Sequence, residues 1–520
     1  MNDMTNNINP EFPQETQNQQ IPQYTHACPA PQATTGALPP KPIYTRADAA
    51  FAWLCFALGF LFARYVTQFA GGLWGGIFWA CFGTLGAVCT RVKRLKTSAA
   101  QKAVFAVAET FCLVPLFCTN GFINVLAAWF SFLLMFYLCI TISGAELFGK
   151  HFVSDLLMSV FVRPFKSFGC APAAGFSPIK GKAPLKTFGY VLIGLVIAVP
   201  LTVVAVILLI LSDGFFEDVM SGFFHSLPAL SFNLIWQIIF GALIGMFLFG
   251  AIYSAAKPVP GYDPAAPSCR ILPPVIAYTA VTPVCVFYLV YVITQFVGLQ
   301  NALSNPSEYA RRGFFELCFI AVINLVVISL IQLFTARRNN DRKPAALKFY
   351  TTMISGFTLL FIASAFSRMA LYIGQYGLTP LRVYTSWFMG LLAVVFVVII
   401  ISQFAEIPMW RVLFVGFTLM FGVLCFGNID GQIARYNVGF AQSGGELDLS
   451  AMRELNGMAC EPLVELLESG DTLPEGVSAR QIEVFLAAEL QDMQQQDGFA
   501  YFSIPRQTAI ESVSRAGVNG

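Results

Sequence analysis

Charge is what this 520-residue chain has least of. Asp, Glu, Lys and Arg make up 12% of it, about half the share usual in a soluble domain. Apolar residues supply 56%, and the mean hydropathy is +0.66. So little charge cannot cover the surface of a soluble protein this long, which argues against a soluble enzyme or a disordered scaffold. The formal net charge of +2 leaves no basic footprint for nucleic acid. Histidine is limited to His26, His151 and His225, and no CxxC pair occurs among the thirteen cysteines. Most of those cysteines lie in apolar runs, where a free thiol packs as a small hydrophobe. No metal site or cofactor is expected. Walker A, HExxH and nucleophile-elbow patterns are also missing. The N-terminus lacks the basic, apolar and small-residue sequence of a signal peptide, so internal helices are expected to direct insertion.

What the sequence has is long apolar runs. The expected fold is an all-α polytopic integral membrane protein with about eleven transmembrane helices and short C-terminal amphipathic helices. At about 20 apolar residues per crossing, spans are predicted at 49–66, 70–90, 103–118, 124–143, 187–212, 228–252, 271–298, 313–335, 347–369, 382–403 and 408–427. Residues 1–45 read as a disordered Pro/Gln-rich cytoplasmic tail, 49–143 as a four-helix membrane segment and 144–186 as a cytoplasmic loop. The runs Leu156–Phe161 and Phe215–Phe224 are too short to cross and read as surface or re-entrant pieces. Residues 187–427 read as a seven-helix membrane segment.

Lys and Arg concentrate in loops 91–102, 144–186 and 336–346, which eleven spans put on one side, the cytoplasmic one by the positive-inside rule. From Asn428 onward there are fourteen Asp or Glu, five Arg and no Lys. The acidic tail 428–520 is therefore expected outside a bacterial inner membrane, opposite a cytoplasmic N-terminus. Leu449, Met452, Leu455, Met458 and Leu463 or Val464 approximate one helical stripe, and Ile482, Phe485, Leu486, Leu490 and Met493 another.

Polar residues near or within the spans are the candidate site. Arg64 and Glu109 are a candidate intramembrane pair, since charge in the bilayer is costly. At the outer face the sequence gathers Glu308, Arg311, Arg312 and Glu316, then Arg368, Tyr372, Tyr376 and Arg382, then Asn428, Asp430, Arg435 and Asn437. Asn324 follows deeper. Arginine on an outer face opposes the positive-inside bias. It can pair with carboxylate or phosphate, as a solute site or as a lock between helices. Gly71, Gly72, Gly75, Gly76, Gly83 and Gly86 permit close helix packing. Pro200, Pro273, Pro274 and Pro283 read as kinks or breaks.

Four stretches carry a family likeness: EYARRGFFEL at 308–317, RMALYIGQYGLTPLR at 368–382, NIDGQIARYN at 428–437 and LDLSAMRELNGMACEPLVELL at 447–467. Together they resemble a bacterial multi-pass membrane family catalogued as domain of unknown function 4153, or the related 4173. The family's last span leads into an Asn-Pro-Asp-like sequence, whereas Asn428-Ile429-Asp430 lacks the proline. The resemblance implies a cell-membrane protein and supplies no reaction, substrate or cofactor. Three functions stay open. The favoured one is a transporter or transport-associated protein handling an anionic solute. The others are a membrane-embedded enzyme acting on a lipid-linked or anionic envelope substrate, and a non-catalytic sensor or assembly protein. The expected partners are the lipid bilayer, an anionic small molecule or lipid headgroup, and another membrane protein.

Overall fold

Hydrocarbon offers backbone amides no water, so a chain this apolar has to satisfy them within helices. The computed structural model describes residues 44–68, 72–177, 229–257, 273–302, 314–335, 344–469, 473–474, 476–496 and 498–517, with scattered helical positions between 194 and 212. Among the described residues there is no β-strand, and nine helical segments are long and apolar enough to cross a membrane. They are Arg46–Val66, Leu73–Val92, Gly121–Ile142, Asn233–Ala255, Tyr278–Gln295, Phe314–Phe334, Ala345–Tyr376, Pro380–Phe404 and Met409–Phe426. The protein is an all-α polytopic membrane protein. The predicted tail 1–45 falls outside the described residues as far as residue 43, and so do most of the predicted span 187–212 and all of Phe215–Phe224.

The first helix, α1 (Arg46–Leu61), starts at a capping box in which Thr45 and Asp48 satisfy each other's backbone amides. It continues through a π-helical turn at Phe62–Val66. Helix α2 (Leu73–Val92) returns to the starting face, where Asp48 pairs with Lys93. The predicted third span, 103–118, is not one continuous helix. A Ser98–Gln101 capping box opens α3 (Ala99–Cys112), which stops after 14 residues, and α4 (Val114–Phe117) completes the passage. Pro115 is the reason, because its ring lacks an N–H and clashes with the preceding turn. Asn120 then caps α5 (Gly121–Ile142).

A short surface run follows: α6 (Phe152–Leu157), a π turn at Met158–Val162, α7 (Arg163–Lys166) and α8 (Cys170–Gly175). Leu157, Phe161 and Phe165 are exposed, as befits a helix lying in the membrane interface. Arg163 turns the other way and donates to the carbonyls of Ser254 and Lys257. It thereby satisfies the end of α9 (Ala229–Ala255), where a cation is favoured.

Helices α1 and α9 make the tightest crossing. A Cβ on Gly59 would lie 2.0 Å from the Gly241 carbonyl oxygen, and one on Gly245 would lie 2.8 Å from that of Cys55. Gly241 and Gly245 form a GxxxG pair, which lets backbones touch where lipid gives helices no hydrophobic reason to associate. The second half comprises α10 (Pro274–Ala302), α11 (Phe314–Phe334), α12 (Ala345–Tyr376), α13 (Pro380–Phe404) and α14 (Met409–Phe426). Within it Asn324 is buried, accepting from Tyr288 at 2.7 Å and donating to Thr358 at 2.9 Å.

Beyond α14 the chain folds as a helical cap: α15 (Ile429–Gln442), α16 (Leu449–Arg453), α17 (Cys460–Glu468), α18 (Ala479–Gln495), a 3₁₀ turn at Phe499–Tyr501 and α19 (Ile504–Arg515). Met452, Leu455, Met458, Leu463, Val464, Ile482, Leu486, Leu490 and Met493 are buried in its core, which continues onto Leu378 and Val383 of the bundle. The molecule thus has a basic face, carrying residues 91–102 and 144–175, and a capped face opposite.

Gly241→Leu should destabilise the folded protein by about 1–3 kcal/mol, the usual effect of overpacking. The thermal midpoint of the purified full chain reads it. Gly439→Ala, where a Cβ meets open space, should leave the midpoint within a degree or two.

Candidate functional site

At the capped face, helix ends leave carbonyls that need donors. Helix α12 ends at Gly377, whose φ of +70 favours glycine and where a Cβ would sit 2.8 Å from Asn437 Oδ1. Arg382 Nη1 donates to the carbonyls of Tyr376 and Gly377, and its guanidinium stacks 4.4 Å from the Tyr372 ring centre. Tyr372 and Tyr376 pack ring to ring at 4.9 Å. Asn437, on α15, clasps the turn from above. It accepts from the Leu378 amide at 2.7 Å and donates to the Leu378 carbonyl at 2.8 Å.

Asn428 caps α15 in a left-handed conformation, φ 45 and ψ 55, and accepts from Gly431. Two residues on, Asp430 is 4% exposed. Tyr384 donates to its Oδ1 at 3.2 Å and Asn456 to its Oδ2 at 3.4 Å. Asn120, before α5, donates to the Tyr384 hydroxyl at 2.9 Å. One carboxylate therefore ties together the α4–α5 turn, α13 and two segments of the cap. Burial raises the Asp430 carboxyl above its ordinary range, against the opposing hydrogen bonds from Asn456, Tyr384 and Asn120.

The residues singled out in the sequence therefore divide among several bonds. Arg435 pairs with Glu461 at 3.1 Å within the cap. Arg368 is buried and donates to Gln295 of α10 at 2.8 Å. Glu316 lies exposed in the first turn of α11, and Glu308, Arg311 and Arg312 fall outside the described residues. The expected Arg64–Glu109 pair does not form. Arg64 is exposed on the π turn, while the Glu109 carboxylate faces the α2–α5 side, next to Gly83 and Met135. The two lie on different seams: α1 packs on α2 and α9, whereas α3 packs on α2 and α5.

Sequence reasoning missed the cavity beneath the cap. It holds about 490 Å³. Its bundle side is built from Gln68, Gly72, Pro115, Cys118 and Asn124, and its cap side from Arg453, Asn456, Glu489, Asp492, Ser503 and Arg506. Arg453 faces Glu489 at 3.6 Å and Asp492 at 3.9 Å. Burial lifts the Glu489 carboxyl, and Arg453 opposes that. Ser503, 3% exposed, has an Oγ with no hydrogen-bond partner among the described residues. Arg506 donates to the carbonyls of Met493, Gln496 and Tyr501 and so holds the rim. The wall combines cation, carboxylates, amides and hydroxyl, the donor set of a polar-solute site.

The model for the family described as Domain of unknown function (DUF4153) matches residues 105–466. The chain belongs to this family. No curated protein and no solved structure matches it. The family match takes in Asn120, Tyr384, Asp430, Arg453 and Asn456 but ends before α18 and α19, which bring Glu489, Asp492, Ser503 and Arg506 to the cavity.

A carboxyl whose folded titration is raised favours the folded state at low pH, and that contribution fades as pH rises through the displaced value. Cap stability should therefore fall with rising pH above the ordinary carboxylate range, and Asp430→Asn should flatten that fall. Thermal unfolding of both proteins across pH 4–8 measures it.

Proposed function

We propose that this membrane protein serves transport by binding a small polar solute in the cavity between cap and bundle. The carrying observation is the cavity wall itself, polar and contributed by both bundle and cap. The two arginines and two carboxylates in the wall balance. A zwitterionic solute therefore suits it better than the net anion the sequence suggests. The long 3.6 and 3.9 Å pairings of Arg453 are loose enough for a solute carboxylate to take over the guanidinium while its ammonium meets Glu489 or Asp492.

Transport is favoured over binding alone by what forms the floor. Pro115 lines the cavity at the point where the third crossing breaks. Glu109 lies about one turn further into the membrane on α3, with its Oε1 lacking a hydrogen-bond partner among the described residues. Broken helices beside ionisable groups are how many transporters build solute sites. An enzyme acting on an envelope precursor would need its outer arginines available, yet Arg382 is engaged by the carbonyls that end α12 and Arg435 by Glu461 within the cap. On this reading the basic face is cytoplasmic and the cap lies outside an inner membrane.

Thermal-shift measurements on the full chain in detergent test the proposal, using a zwitterionic amino acid, acetate and inorganic phosphate. A solute at 100 times its Kd adds about 2.7 kcal/mol. The amino acid should raise the midpoint, and Arg453→Ala should abolish the rise. A shift with phosphate or acetate alone would instead identify a net-anion site. No shift with any of them would contradict a solute site.

A further inference from the structure

The basic face carries a second opening, unrelated to the capped cavity. A groove of about 200 Å³ runs between α2, α3, α5 and the end of α9. Its wall is chiefly apolar, with Phe82, Phe105, Met135, Leu138 and Ile252 facing it. Cations stand at one end only. Arg91, in the last turn of α2, and Lys102, in the first turn of α3, line the mouth together with Gln101. Both cations are exposed and have no salt-bridge partner among the described residues. Lys93 beside them is paired with Asp48 and sits 4.9 Å over the Tyr253 ring.

We propose that this groove binds one anionic phospholipid, with an acyl chain against the apolar wall and the phosphate between Arg91 and Lys102. Charge complementarity selects the occupant. Two unpartnered cations at the water-facing end of an apolar slot match a molecule that is apolar along its length and anionic at its head. A soluble anion would gain nothing from Phe82, Met135 and Ile252. A neutral hydrophobe would gain nothing from the two cations. The groove passes Gly86, where a Cβ would meet no atom within 4 Å, so a larger side chain there enters the slot without moving the bundle. Gly83 also lines the groove, beside the Glu109 carboxylate.

Binding of fluorescent phosphatidylglycerol and fluorescent phosphatidylcholine to the full chain in detergent micelles tests this. The anionic probe should bind saturably, one per chain, and about thirtyfold more tightly than the zwitterionic one, the scale expected of two interfacial cations. Arg91→Ala with Lys102→Ala should bring the anionic probe down to the zwitterionic level and leave the latter unchanged. Gly86→Leu should weaken both probes, with the thermal midpoint reporting that the fold is kept. Arg480→Ala, on the cap, should change neither. Equal affinities for the two probes, or indifference to both groove variants, would overturn the proposal. So would full displacement of the anionic probe by inorganic phosphate at low millimolar concentration, which would mark a soluble-anion site.

Discussion

Hydrocarbon tolerates neither an unpaired backbone amide nor a free charge, and the arrangement of this protein follows from that constraint. Its lysines concentrate in the loops of one face, its acidic residues collect in the cap, and some polar groups inside are bonded to neighbours, as Asn324 is to Tyr288 and Thr358. The same constraint governs how helices meet. Between lipid-facing helices there is no apolar surface to hide from water, so contact has to come from shape. The Gly59, Gly241 and Gly245 crossing supplies it for α1 and α9.

Where the chain leaves the membrane, water-exposed helices can again bury apolar faces, and the cap does so around Leu455, Leu463 and Leu486. The cap is fixed to the bundle by its apolar core, which runs onto Leu378 and Val383, and by local polar contacts. Asn437 grips the Leu378 backbone, and Asp430 joins Tyr384 to Asn456. These two anchors leave room beside them. The cavity opens between the cap's α18 and α19 and the α4–α5 turn; the charges lining it all come from the cap, and the bundle adds the uncharged polar groups of Gln68, Thr119 and Asn124.

The membrane spans and the cap stripes were legible because each depends on a single segment, through length and apolarity for a span and 3.6-residue spacing for a stripe. Leu449 and Phe485 of the two stripes are only partly buried, at the edges of the core. The break in the third crossing was less visible. An apolar window from 103 to 118 averages over Pro115, whose effect is on the backbone rather than on hydropathy. Arg382 invited an anion by its position on an outer face, and in the structure it serves the carbonyls that end α12. The partner of the GxxxG pair in α9 and the meeting of Arg453 with Glu489 were hidden for a common reason. Each depends on which distant segments come together, and a single sequence does not say which they are.

Loop lysines and arginines mark one face and the acidic cap the other, so sidedness is the most direct test. Cysteines introduced at Lys96, on the basic face, and at exposed Arg480, on the cap, can be probed with a membrane-impermeant maleimide on intact cells before and after permeabilisation. With the basic face cytoplasmic, position 480 should label without permeabilisation and position 96 only after it. The reverse pattern would contradict that sidedness.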